Sequence, residues 1–254
     1  MILNKKFIPL LTSILILFCC SVSLGLEKID PALHKWMRET NIGTKDKTQT
    51  VELKVTYYSN EYVQELIRVQ AEKNLWTNSE MEDYKYALLK RLNFNEYIGF
   101  HVDMFVEGIP IYAQPFDKYV KLTVGKKKYS PADYDKQFNM KISGRRDGMV
   151  FFSRYDDKTG KNILEKARDV RLSIDGSIGY AMASKGDVTF VWDITKDRPS
   201  ENSGAAAARL EIDRLIKRVN KLNADRKKLQ DQVDVIDKEL NEVNTRIDEL
   251  QEVN

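Results

Sequence analysis

Apolar positions along this chain change their period twice within the first half, and each change marks an element. In "TVELKVTYYS" (Thr50–Ser59), Val51, Leu53, Val55 and Tyr57 alternate with more polar residues, which predicts a strand with one buried face. Ser59 then precedes "NEYVQELIRVQAEKN", where Tyr62, Val63, Leu66, Ile67 and Val69 return at helical spacing, with a strand over Val63–Val69 as the competing reading. "TNSE" (Thr77–Glu80) reads as a capping box, a hydroxyl at the N-cap and a carboxylate three residues on. It opens a second helix with Met81, Tyr84, Leu88 and Leu92 on one face. After Asn95 the period returns to two, with Phe100, Val102, Met104 and Val106 on one face and His101 and Asp103 on the other.

Later segments repeat the alternation: Val120, Leu122, Val124; Val150, Phe152; Val170, Leu172, Ile174; Val188, Phe190, Trp192, Ile194. Between them lie the turn signals "VEGIP", "VGKKK", "YDDKTGKN", "IDGS" and "SKGD". Short one-faced strands punctuated by Gly and Asp predict antiparallel pairing into two packed sheets. The fold expected is α+β, an antiparallel β-sandwich-like domain over residues 50–198 with an early helical pair. Residues 26–49 are polar, with Leu33 and Trp36 as large apolar anchors, and read as a short helix around Pro31–Glu39 followed by a linker. The stretch from residue 57 to 106, "YYSNEYVQELIRVQAEKNLWTNSEMEDYKYALLKRLNFNEYIGFHVDMFV", resembles a group of uncharacterised exported bacterial proteins. In those a strand, two helices and a phenylalanine-led strand occur in this order. The resemblance implies export and that order of elements, and it implies no activity.

Beyond a hinge at 199–208, residues 209–254 carry a heptad pattern. Ile212, Val219, Arg226, Val233, Leu240 and Ile247 occupy position a, and Leu215, Leu222, Leu229, Ile236, Val243 and Leu250 occupy position d. Six heptads with Arg226 as the polar intruder predict a coiled coil, since a helix docked on its own domain prefers a wider apolar stripe. In a parallel pair the flanking contacts Arg218–Asn223, Asp225–Gln230, Glu239–Asn244 and Arg246–Gln251 carry no repulsion. A centred antiparallel pair opposes Arg218 to Arg246 and Asp225 to Glu239. A homo-oligomer is therefore expected, a parallel dimer ahead of a trimer, because Val and Ile at a with Leu at d favour two strands. A different coiled-coil protein remains the competing partner.

The N-terminus changes the compartment. Lys5 and Lys6 precede an apolar run from Phe7 to Leu26, and Ser23 and Gly25 suit the cleavage positions, so residues 1–25 read as a secretory signal peptide. An uncleaved anchor, or lipidation at Cys19 or Cys20, are the rival readings, and only these bring in a membrane. Both cysteines of the 254-residue chain lie in this segment. The remainder would enter an oxidising compartment without disulfides, which fits a bacterial periplasmic, cell-surface or extracellular protein with a core large enough to do without them. Cleavage removes two of 41 basic residues and none of 38 acidic ones, so net charge argues neither for nucleic acid nor for a membrane surface.

Candidate chemistry is sparse, and no catalytic, cofactor or metal set is expected. His34 and His101 are far apart, whereas a metal site usually needs three or four ligands. Paired acids such as Asp103 with Glu107, or Asp156 with Asp157, would serve an acid-only carbohydrate-active enzyme, the minority reading. The stretch 156–162 reads first as a hairpin loop with Gly160 at positive φ. Lys126–Lys128 and Arg145–Arg146 read as loop and edge charges, with attraction to anionic envelope polymers or lipid headgroups as the alternative. Tyr112, Tyr119, Tyr129 and Tyr134 are candidates for a sugar-binding surface. The expected role is a non-catalytic envelope protein, with membership of a secretion or surface assembly as the other reading.

Overall fold

The computed structural model describes residues 31–197 and 205–252; the expected signal segment and most of the expected hinge lie outside these. The fold is α+β, with two antiparallel sheets. In the first, β1 (Met37–Gly43), β2 (Gln49–Tyr57), β3 (Tyr97–Tyr112), β7 (Lys141–Ser153) and β6 (Asp133–Tyr134) lie in the order β1-β2-β3-β7-β6. In the second, β5 (Lys127–Tyr129), β4 (Val120–Val124), β8 (Asp169–Ile174) and β9 (Val188–Asp193) lie in the order β5-β4-β8-β9. The alternating residues of both sheets meet in one core: Val51, Leu53, Val55, Val102 and Met104 from the first and Val170, Leu172 and Trp192 from the second are all buried in it. The Trp192 ring lies 5.3 Å from Phe100 and 6.1 Å from Tyr57, tying the two layers together.

Helices α2 (Asn60–Asn74) and α3 (Asn78–Arg91) form where the caps predict. Ser59 Oγ accepts from the Tyr62 N–H at 2.9 Å, and Thr77 and Glu80 make the reciprocal capping box. Val63, Ile67, Leu88 and Leu89 form a second, smaller core with Met149 and Phe151, so the pair covers the outer face of the first sheet at one end. Leu75, between the helices, adopts the left-handed conformation (φ 53°) while 90% exposed.

The N-terminal segment departs from expectation. The helix α1 is confined to Pro31–His34, and the stretch expected as its end and as linker is instead β1, paired in register with β2 from Met37↔Thr56 to Gly43↔Thr50. Its polar exposed residues reflect an edge position, where only alternate side chains reach the core. Trp36, 1% exposed, seats it, and the Trp36 carbonyl accepts from Trp192 Nε1 at 2.8 Å.

Strand β3 breaks register between Val106 and Ile111, and Gly108 (φ +83°) makes the break. A Cβ there would lie 2.1 Å from the Thr48 carbonyl oxygen, a contact no side chain can make. We expect Gly108→Ala to destabilise the domain by roughly 2–4 kcal/mol, seen as a lower urea midpoint at unchanged slope. A midpoint within error of wild type would mean the bulge is not held as described.

Candidate functional site

The last helix, α5 (Ala205–Glu252), is continuous. Its first turn includes Ala205–Ala208, residues expected in the hinge. At about 1.5 Å per residue it is roughly 70 Å long. The a and d positions singled out from the sequence lie along one stripe: Ile212, Leu215, Val219, Leu222, Arg226, Leu229, Val233, Ile236, Leu240, Val243, Ile247 and Leu250. Their eleven apolar members are 45–62% exposed, and no described segment of the chain covers them. Arg226 is exposed within the same stripe.

The domain touches a different face. From Glu211 to Gln251 only Glu211, Arg214 and Arg218 are partly buried, and every other position is exposed. Arg214 is the seat: its guanidinium lies 4.3 Å from the Tyr155 ring and donates to Glu211 at 2.9 and 2.6 Å. Lys217 Nζ approaches Glu96 at 4.0 Å. Arg218 Nη2 lies 3.5 Å from the point where a Gly160 Cβ would stand. A cleft of about 330 Å³ between α3 and α5 is lined by Leu89, Phe94, Arg214 and Ile216. At 100° per residue, the face of Glu211, Arg214 and Arg218 lies about a quarter of a turn from the neighbouring a/d positions. The domain therefore holds the helix by charge and an aromatic ring, and leaves the apolar seam open. Heptad reading did not find this joint, because Arg214 and Arg218 look like ordinary solvent-facing charges beside a strong seam.

The remaining candidates are dispersed. Asp103, on the outer face of the first sheet, receives Arg145 Nε at 2.9 and 3.1 Å and Nη2 at 2.6 Å. It borders an open groove of about 590 Å³ with Glu39, Glu52, Lys54 and Phe105. Glu107 is four residues further along the strand, a rise of about 13 Å, wider than the roughly 5–9.5 Å that separates glycosidase carboxyl groups. Asp156 Oδ1 accepts from the N–H groups of Lys158 and Thr159 and from the Thr159 hydroxyl. Those bonds hold its carboxyl below the usual range, so it serves the turn, and Gly160 has the expected positive φ (66°). Among the described carboxylates Asp197 is the one pushed upward, by burial, and it is engaged in accepting from the Glu61 N–H at 3.1 Å at the start of α2.

His101 Nε2 lies 3.0 Å from Asp147, and His34 ends α1, so the structure does not bring the two histidines together. Tyr119, Tyr129 and Tyr134 pack against the core while Tyr112 stands exposed, which divides the expected tyrosine surface. Among the described residues no group of three or more His, Cys, Asp or Glu is placed to hold a metal ion, and no helix is long and apolar enough to cross a membrane. Comparison of the chain with protein-family models, with characterised proteins and with solved structures finds no match.

Proposed function

We propose that this is a non-catalytic exported protein of the bacterial cell envelope, whose β-rich binding or structural domain is carried in two copies on a parallel coiled coil built from α5. The observation that carries the reading is the open a/d stripe, exposed along its whole length although the domain docks on the same helix. Burying one such side chain is worth about 1.5–3 kcal/mol, so a stripe of this length strongly favours a covered state. A second copy covers it with matching heptads; Arg214, at position c, stands clear of its approach, while Glu211 and Arg218 flank the seam at position g. Export rests on the basic start and apolar run at Lys5–Leu26 and on the absence of cysteine after Cys20. Two domains on one stalk raise avidity for a repetitive surface without any new contact.

Sedimentation equilibrium tests the seam. The protein is expected to sediment as a dimer at tens of micromolar, and Arg226→Leu to lower Kd about tenfold or more. Arginine at position a must bend its charge out to water, and leucine has no such requirement. An unchanged or weaker association in Arg226→Leu would place the residue outside the seam.

A further inference from the structure

Position c of the heptads, on the side of α5 away from the seam, carries a pattern of its own. In chain order it holds Arg214, Lys221, Lys228, Val235, Glu242 and Glu249, cations before a valine and carboxylates after it. Arg214 belongs to the joint with the domain, and the row from Lys221 onward is exposed. Val235 is 67% exposed, more than any other large apolar side chain along α5, and a residue at c adds nothing to an a/d seam. Glu242 lies 3.9 Å from Lys238 and Glu249 2.7 Å from Arg246, but both pairs are solvated and each carboxylate can accept from a further donor.

We infer that this row is a surface on which stalks of this protein pair antiparallel, its occupant being the same row of another copy. Reversed end for end, the row is its own complement. With Val235 opposite Val235, Lys221 meets Glu249 and Lys228 meets Glu242, each twice by symmetry. The flanks agree, since the same register brings Asp231 beside Lys238 at f and Asp225 beside Arg246 at g. A parallel pair in register would oppose like charges at every one of these c positions except Val235. A uniformly acidic or basic partner would match one half of the row and be repelled by the other. The overlap from Lys221 to Glu249 spans roughly 42 Å and begins beyond the domain's seat at Arg218. One point rests on the parallel dimer proposed above: a dimer carries two such rows on opposite sides, so pairing does not close at four chains. It extends into a raft of alternately directed stalks with domains along both borders.

Sedimentation velocity of the full-length protein reads the assembly. Exposed ion pairs are individually weak and screened by salt, so species larger than a dimer should form at about 20 mM salt, grow with protein concentration, and return to dimer at about 500 mM. Lys221→Glu with Lys228→Glu, or Glu242→Lys with Glu249→Lys, gives the row a single sign and should leave a dimer at both salts. All four changes together rebuild the complement in reverse and should bring the low-salt species back, a rescue that mere damage to the helix would not produce. Asp234→Asn with Asp248→Asn, at position b, should leave the low-salt species in place. Loss from the b variant equal to that from the c variants, or no rescue by the fourfold reversal, overturns the row as the contact. Wild type that stays a dimer at both salts overturns the pairing and leaves the seam intact. A monomer at high salt that reaches only a dimer at low salt, with the same response to the c variants, overturns the seam and supports the row.

Discussion

Protein carrying Leu229→Asp and Ile236→Asp is expected to sediment as a monomer at concentrations where wild type is a dimer, and to lose part of its helical circular dichroism. Both residues sit at d in the free length of α5, 62% and 56% exposed in the single chain. In a dimer, four apolar side chains would be exchanged for four carboxylates. At about 1.5–3 kcal/mol for each lost burial the change costs roughly 6–12 kcal/mol, four decades or more in Kd, before the penalty for desolvating charge beside its own copy. The helical signal should fall too, because an isolated helix without tertiary packing is marginal in water and every described position of α5 after Arg218 is exposed. Wild type that is monomeric, with helix content unaffected by the aspartates, would sink the self-association reading and leave the stripe to another partner.

Gln49→Leu should be among the most destabilising single changes in the domain, lowering its stability by roughly 2–5 kcal/mol. Gln49 is fully buried, and its amide joins two parts of the chain that are otherwise distant. Nε2 donates to the Ile109 carbonyl at 2.5 Å, at the break in β3, and Oε1 accepts from the Ala181 N–H at 2.6 Å, in the short helix α4 (Tyr180–Ala183). Leucine matches the volume but removes the bond to the partly buried Ile109 carbonyl and leaves the buried Ala181 N–H without its acceptor, a loss of about 1–3 kcal/mol for each buried group unpaired. Urea unfolding followed by tryptophan fluorescence isolates the effect, because all three tryptophans, Trp36, Trp76 and Trp192, lie in the domain and none in α5. Thr50→Leu, next in sequence but facing outward, should change stability by about 0.5 kcal/mol or less. Equal effects at 49 and 50 would show that the bridge carries no weight.

The parts of this molecule that were legible in the sequence are those governed by local rules. Ser59 and Thr77 start helices because a side-chain oxygen answers an orphan N–H within three residues, and β2, β4, β8 and β9 follow from alternation alone. The heptads likewise announce α5, since a period of seven needs no knowledge of what lies opposite. What stayed hidden depends on partners far along the chain. Strand β1 exists because β2 offers an edge and Trp192 a donor for the Trp36 carbonyl, and neither is visible in "MRETNIG". Gln49 reads as a polar turn residue until Ile109 and Ala181 are placed beside it. Arg214 and Arg218 are indistinguishable from other helix charges until Tyr155 and Gly160 arrive against them.

The joint at Glu211, Arg214 and Arg218 also sets an angle. Because the helix is continuous from Ala205 to Glu252, the direction in which the distal apolar stripe faces, relative to the domain, is counted out by the residues between them. Inserting one residue after Arg218 would swing Leu222 and everything beyond it by about 100° around the helix axis while the domain stayed seated. Three or four inserted residues would nearly restore the bearing. The spacing between seat and stripe thus acts as a phase, and chain length alone decides which way the domain looks from its stalk.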